Sequence, residues 1–524
     1  MITKLPKEFL SVISENNGLK QYLSNLSQGR QFTPRSWLYE SLDPQQILDN
    51  WLNILSSLEN GDTFENEVFQ FDISQLAKWG PQGGIKPISD LMTDVVEPTF
   101  ARGDSPRPKA FSSKDWQGAK DQAVLDLHDV GVYALRPAAY SNVVADMRAR
   151  DTLESNSGWP DFTRRNKPDV LSAAISAAAN EAWIDYPAIA LFRNYNLKTR
   201  LVWMFPEATN IYEGSYCQPL QSRIINSRLH YYAPWEGFER VRDLITLHYD
   251  QGEFLSASDF SKTDEHFTLP VTMEVFDVLK DVVQRKYVGG LRLSLTRMHE
   301  IPLIISTDEM LTGKHGVASG SNWTNFVETV FDHVFSTYVQ YHTEDYNTSA
   351  LCAIGDDMCW TSSRYDDALQ HTLEQCGKDV GQDLNSEKVT NAEDKVKFLQ
   401  RLFQRGYRRP DGKLRAVYST IRALKSSVYP ERFHKPSDWT SDMFCARQYM
   451  ILENCVDHPL FEQFVKYVVH GQRDLIPFAR KSAAELDRVT RETKLLPGFN
   501  PTYNQEKRDT SLASFESIRI ARSF

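Results

Sequence analysis

The sequence predicts an α+β fold, with short strands gathered in the middle of the chain and helices dominating its last third. Three observations predict it. Two apolar runs, Leu351 to Ile354 and Met358 to Thr361, flank Gly355-Asp356-Asp357, and such runs around a Gly-Asp corner read as a tight β-hairpin. Phe254 to Ser258 reads as another buried strand. Apolar side chains recur near 3.6-residue spacing from Trp323 to Val339, and again in Met443 to Cys455, Leu460 to His470 and Ser482 to Leu495. At 524 residues the chain can hold several subdomains, each with its own core.

The hairpin is expected to hold Asp356 and Asp357 out into solvent. Paired carboxylates on a rigid turn are hard-oxygen ligands suited to Mg²⁺. Alone, the tripeptide is equally well an ordinary acidic turn. A second acidic cluster, Asp259 to Asp264, follows the 254–258 strand. If both strands share a sheet, three carboxylates converge, and their repulsion costs several kcal/mol unless divalent cations neutralise it. That is the geometry of a two-metal site for in-line phosphoryl displacement, with ions about 4 Å apart.

Between the clusters, the small-residue loop Gly316 to Ser321 opens into the 323–339 helical pattern. Such a loop lets backbone approach a ligand, and the helix start favours phosphate or polar sugar groups. Downstream, Leu369, Leu373 and Cys376 share one face of an amphipathic stretch, and Val271 to Lys286 reads as helix.

In this order the three elements resemble the palm of viral RNA-dependent RNA polymerases: Asp259-x4-Asp264, then Ser319-Gly320-x3-Thr324, then Gly355-Asp356-Asp357. The run Arg200 to Pro206 and the form of the 319–324 loop narrow the resemblance to picobirnaviruses and the related partitiviruses. The resemblance implies a right-hand polymerase with fingers, a palm of antiparallel sheet flanked by helices, and a helical thumb, closed by fingertips. It implies RNA-templated RNA synthesis by two-metal nucleotidyl transfer, with primer-independent initiation, for replication and transcription of a double-stranded RNA genome. The implied cofactor is Mg²⁺, with Mn²⁺ as the alternative. The implied partners are RNA template and product, nucleoside triphosphates and capsid protein. The implied setting is a monomer, without membrane, in the virion interior or host cytoplasm.

Carried over by position, Asp259 and Asp356 match the metal-binding aspartates, with Asp357 auxiliary. Asp264, Ser319, Gly320 and Thr324 match the group around the incoming ribose and nucleotide. Glu328 stands where many relatives place an Asn, and a carboxylate there accepts but does not donate a hydrogen bond. Lys198 and Arg200 match the basic fingertip over the triphosphate. Lys388 matches the lysine that protonates departing pyrophosphate. Ser157 and Gly158 match a loop guiding template, and Arg401 a turn gripping the product strand. A solvated basic strand end and ordinary turn chemistry remain competing readings of the last groups.

The implied divisions are an N-terminal bridge at 1–60, fingers at 61–244 and 269–315, palm at 245–268 and 316–403, thumb at 404–496 and a tail at 497–524. In the tail, Tyr503 or Phe524 is a candidate stacking platform for the first nucleotide. Formal charge is −10, so the RNA path needs a local basic lining rather than a basic exterior. Six scattered cysteines without a Cys-x2-Cys pair argue against a disulfide scaffold or zinc site. No uncharged apolar stretch reaches membrane-spanning length. Two rival classes remain: a reverse transcriptase-like polymerase, and a capsid or scaffold protein with incidental acidic turns.

Overall fold

The computed structural model describes residues 1–385, 388–432, 437, 439–496 and 510–524. At its centre lies a five-stranded antiparallel sheet in the order Thr390–Asn391, Phe254–Ser261, Asp357–Ser362, Thr348–Ile354, with Asp383–Leu384 also pairing on the far end of Phe254–Ser261. The hairpin is as tight as expected: Ile354 pairs with Asp357, leaving Gly355-Asp356 as a two-residue turn. Gly355 has φ +59°, a conformation costly for any residue carrying a Cβ. The strand read as ending at Ser258 runs on to Ser261, so Asp259 belongs to the sheet.

The Trp323–Tyr341 helix lies across this sheet. Its serine and threonine side chains pin the strands: Ser336 Oγ accepts from Ala350 N (2.7 Å) and Thr329 Oγ1 from Gly355 N (2.9 Å). Phe331 and Phe335 pack on Phe260, and Phe335 on Trp360. The helix is buried all round, including its polar positions Glu328, Asp332 and His333. The Leu369–Asp379 helix buries Leu369, Leu373 and Cys376, the face expected. Val271 to Lys286 divides instead into a Leu269–Leu279 helix and a short Arg285–Tyr287 turn. Leu135 captures the backbone between them, donating to Val282 O and accepting from Gln284 N.

A five-stranded sheet forms the next layer, in the order Ile2–Lys4, Glu309–Leu311, Leu303–Ile304, Ala188–Tyr195, Lys198–Met204. Its last two strands form a long hairpin whose tip reaches the C-terminal helices. There Asn196 N donates to Gln82 Oε1 (3.1 Å), and Arg193 forms a two-pronged pair with Glu431 (2.7 and 2.8 Å). This closes the molecule on itself.

The helices Ser441–Glu453, Phe461–Val469 and Ala483–Leu495 match the predicted periodic stretches within two residues. Their core includes Leu38, Trp51, Leu55, Val68 and Phe71, so the N-terminal contribution continues past residue 60. Earlier residues, Leu5 to Leu23, pack instead with Trp159, Ile189 and Ile304 of the second layer. The tail segment 510–524 packs on the helical core. Phe524 sits there, half-buried beside His470 and Lys466. Tyr503 lies outside the described residues. The six cysteines are buried and unpaired. Among the described residues, no helix is long and apolar enough to cross a membrane.

Candidate active site

Two neighbouring strands bring the acidic clusters together. Asp259 pairs in register with Asp357, and Phe260 N donates to Asp356 O across the turn. Carboxylate oxygens of Asp259, Asp356 and Asp357 lie within 4.8 Å of one another. Contrary to expectation, the hairpin does not hold them out in solvent: Asp259 is 4% exposed and the other two are half-buried. The Trp323–Tyr341 helix packs against the Thr348–Ile354 strand, and Asn385 and Lys388 reach Asp259.

Few neutral groups soften the repulsion. Asn385 Nδ2 donates to Asp259 Oδ2 (3.3 Å) and Thr263 Oγ1 to Asp356 Oδ2 (3.4 Å). Burial, and then Asp259, raise the pKa of Asp356, against the opposing pull of Lys388 and Arg200. Burial, Asp356 and Asp259 hold Asp357 well above the usual carboxylate range. Lys388 Nζ lies 2.7 Å from Asp259 Oδ2. Burial pulls the pKa of Lys388 down, but Asp259 and its neighbours outweigh that and raise it. A hard-oxygen set strained by its own charge, with a lysine as counter-ion, fits a divalent cation.

Beneath the turn lie two more acids. A Cβ at Gly355 would stand 3.4 Å from Glu328 Oε2. Burial, then Asp356 and Asp264, hold Glu328 well above the ordinary range. That shift favours the protonated acid, a form that donates as well as accepts a hydrogen bond. Asp332, one helical turn on, is 1% exposed, with Oδ2 lacking a hydrogen-bond partner. Burial and the four surrounding carboxylates raise its pKa too. Its i+4 spacing from Glu328 was the available signal.

The 316–324 loop is clamped from below. Glu213, buried, accepts from Ser321 Oγ (2.5 Å), Asn322 N (2.8 Å) and Asn210 Nδ2 (3.2 Å). Ser319 Oγ accepts from Trp203 N (3.2 Å), and Thr324 Oγ1 donates to Ala318 O (2.6 Å). Gly320 passes so close to Trp203 that an added Cβ would lie 1.8 Å from its carbonyl oxygen. Ser319 and Asp264 are exposed, and no hydrogen bond joins Ser319, Thr324 and Asp264 directly. Lys198 and Arg200 are exposed at the hairpin, Arg200 near enough to pull down the pKa of Asp356.

Three expected RNA contacts are placed differently. Ser157 and Gly158 are buried, with Ser157 O accepting from Glu207 N (2.9 Å), so the loop turns these residues inward. Arg401 donates to Asn454 O (2.7 Å) and Ala416 O (3.3 Å) and stacks over Phe238 and Tyr418. Its guanidinium is committed within the fold rather than offered to a strand.

Comparison with known proteins agrees with this geometry. A family model described as viral RNA-dependent RNA polymerase matches residues 196–418. A potential RNA-dependent RNA polymerase of Human picobirnavirus (strain Human/Thailand/Hy005102/-) is 28% identical over 480 residues, covering 87% of this chain and 86% of its own. An RNA-directed RNA polymerase of Cryptosporidium parvum virus 1 (strain KSU-1) is 22% identical over 164 residues, covering 30% of this chain and 31% of its own. The fold superposes on the crystal structure of the RNA-dependent RNA polymerase of a human picobirnavirus with a TM-score of 0.81, at 24% identity, over 99% of this chain and 100% of the other. With the hairpin, the clamped loop and the strand aspartate brought together, the chain is similar to the viral RNA-dependent RNA polymerases, that of a human picobirnavirus among them, and shares their fold.

Proposed function

We propose that the chain extends RNA on an RNA template by two-metal nucleotidyl transfer, starting without a primer. The observation that carries the reading is the convergence of Asp259, Asp356 and Asp357 within 4.8 Å. Divalent ions held there, Mg²⁺ or Mn²⁺, would lower the pKa of the attacking 3′-hydroxyl and neutralise charge on the triphosphate. The hydroxyl oxygen bonds to the α-phosphorus, the α–β phosphoanhydride bond breaks, and pyrophosphate departs.

The residues of the chain do the positioning. Arg200, near enough to lower the pKa of Asp356, and Lys198, exposed on the same strand, suit the triphosphate. Lys388, 2.7 Å from Asp259 where an ion would be held, would supply the ammonium that protonates the leaving group. Asp264, Ser319, Gly320, Thr324 and Glu328 face the incoming ribose, and the raised pKa of Glu328 favours its acting as donor. In this reading the chain divides into fingers, palm and thumb, with N-terminal residues such as Leu38, Trp51 and Phe71 packed into the helical core of the thumb. Genome replication and transcription beside capsid protein, as a monomer in the virion or host cytoplasm, complete the reading.

Asp356→Ala tests it. RNA-templated incorporation should fall at least about 100-fold while the melting temperature holds or rises, because a buried repelling charge is gone. Near-parental synthesis by that variant would sink the assignment.

A further inference from the structure

Apart from the carboxylates, three cations crowd the junction between the hairpin tip and the C-terminal helices. Arg422 and Lys425 lie three residues apart on the Thr420–Val428 helix, and Lys78 comes from the Leu76–Lys78 turn packed against it. Lys425 is 1% exposed and Arg422 7%. Lys425 Nζ donates to Asn196 and lies 4.5 Å from the Tyr195 ring centroid, while Lys78 Nζ donates to Gln75 Oε1 (2.8 Å). Arg422 lies over Tyr418, and its Nε is buried with no hydrogen-bond partner. The nearby carboxylate, Glu431, is committed to Arg193. Among the described residues, none of the three cations has a carboxylate at ion-pair distance.

Such a group is costly as it stands. Buried charge without a counter-charge at ion-pair distance loses hydration, although Tyr418 and Tyr195 hold the pKa of Arg422 up against burial. Burial, then Arg422 and Lys388, push Lys78 down to about 8. Burial, then Arg422 and Lys78, push Lys425 down to about 7. Lys388, which holds Asp259, is near enough to Lys78 to lower its pKa. An anion entering the junction would neutralise three charges and satisfy the orphaned Arg422 Nε. Guanidinium and ammonium donors converging from two elements suit phosphate oxygens.

We propose that Lys78, Arg422 and Lys425 form a phosphate-binding site at the hairpin–helix junction, distinct from the aspartates, for a nucleoside triphosphate or an RNA strand. The proposal deepens the polymerase reading, but it can be tested without turnover. The full chain is titrated calorimetrically in EDTA with inorganic tripolyphosphate and, separately, with a short 5′-hydroxyl single-stranded RNA. Lys78→Gln and Lys425→Gln should each weaken tripolyphosphate binding about tenfold. If RNA binding alone weakens by that factor, the phosphate is that of the RNA backbone and the site stands. Unchanged affinity for both probes overturns it. Without ligand, both variants should melt no lower than the parent, because each removes an uncompensated cation. A lower melting temperature with unchanged anion affinity overturns the proposal in favour of a purely structural contact. A chain unable to polymerise would still give a clear answer here.

Discussion

Gly320→Ala is the substitution whose cost can be worked most directly from the geometry. The new Cβ would stand 1.8 Å from Trp203 O, 2.9 Å from its carbonyl carbon and 3.2 Å from Phe205 Cδ1. Relief to ordinary contact requires the loop and strand to part by roughly 1.5 Å. That movement breaks the Trp203 N to Ser319 Oγ bond (3.2 Å) and the Asn210 Nδ2 to Gly320 O bond (3.0 Å). At about 1 kcal/mol each, with some residual overpacking, the loss of stability is about 2–3 kcal/mol. Activity should fall further than stability suggests. Moving substrate-facing residues by about 1 Å costs on the order of 100-fold in rate. The assay pairs urea unfolding with single-nucleotide incorporation on a defined RNA template. Gly289→Ala is the control, for that glycine lies in the Val288–Met298 helix with nothing within 4 Å of an added Cβ. It should be neutral or slightly stabilising. Parental stability and activity in Gly320→Ala, or equal losses in the control, would refute the close-approach argument.

Glu328→Gln should keep the preference for ribo- over deoxyribonucleotides within about threefold, since an amide and a protonated acid both donate. Glu328→Ala should lose it, and competing substrates in one reaction give the ratio; loss in both variants would show that ionised Glu328 is required. A pH profile probes the same acids. Burial and mutual repulsion raise the pKa values of Asp356, Asp357, Glu328 and Asp332 in the metal-free protein. Groups raised on folding hold extra protons in the folded state, so their stability is fully present below the unfolded value of about 4 and is lost as pH rises through the folded values. Asp332→Asn isolates one of them: in EDTA its melting advantage over the parent should widen from about pH 4 upward. A constant difference, or a disadvantage that grows with pH, would contradict the assigned environment.

Local chemistry made the hairpin legible, because a Gly-Asp turn between two apolar runs has few other solutions. The buried helix and the three C-terminal helices were legible for a similar reason, their apolar period being unbroken over nine residues or more. What escaped was set by distant partners. The inward tilt of Asp356 and Asp357 depends on the Trp323–Tyr341 helix packing beneath them. Arg401 is held by Asn454, 53 residues later, and Ser157 by the backbone of Glu207. Glu213 and Asp332 carry no motif. They matter because tertiary packing removes their water, and only a fold reveals which polar residues lose it.

Crystals soaked in Mn²⁺ and measured for anomalous scattering test the central claim most directly. The account predicts anomalous peaks about 2.1 Å from carboxylate oxygens of both Asp259 and Asp356, with Lys388 displaced from Asp259. Manganese bound only elsewhere, or Lys388 still seated on Asp259 at saturating metal, would contradict it.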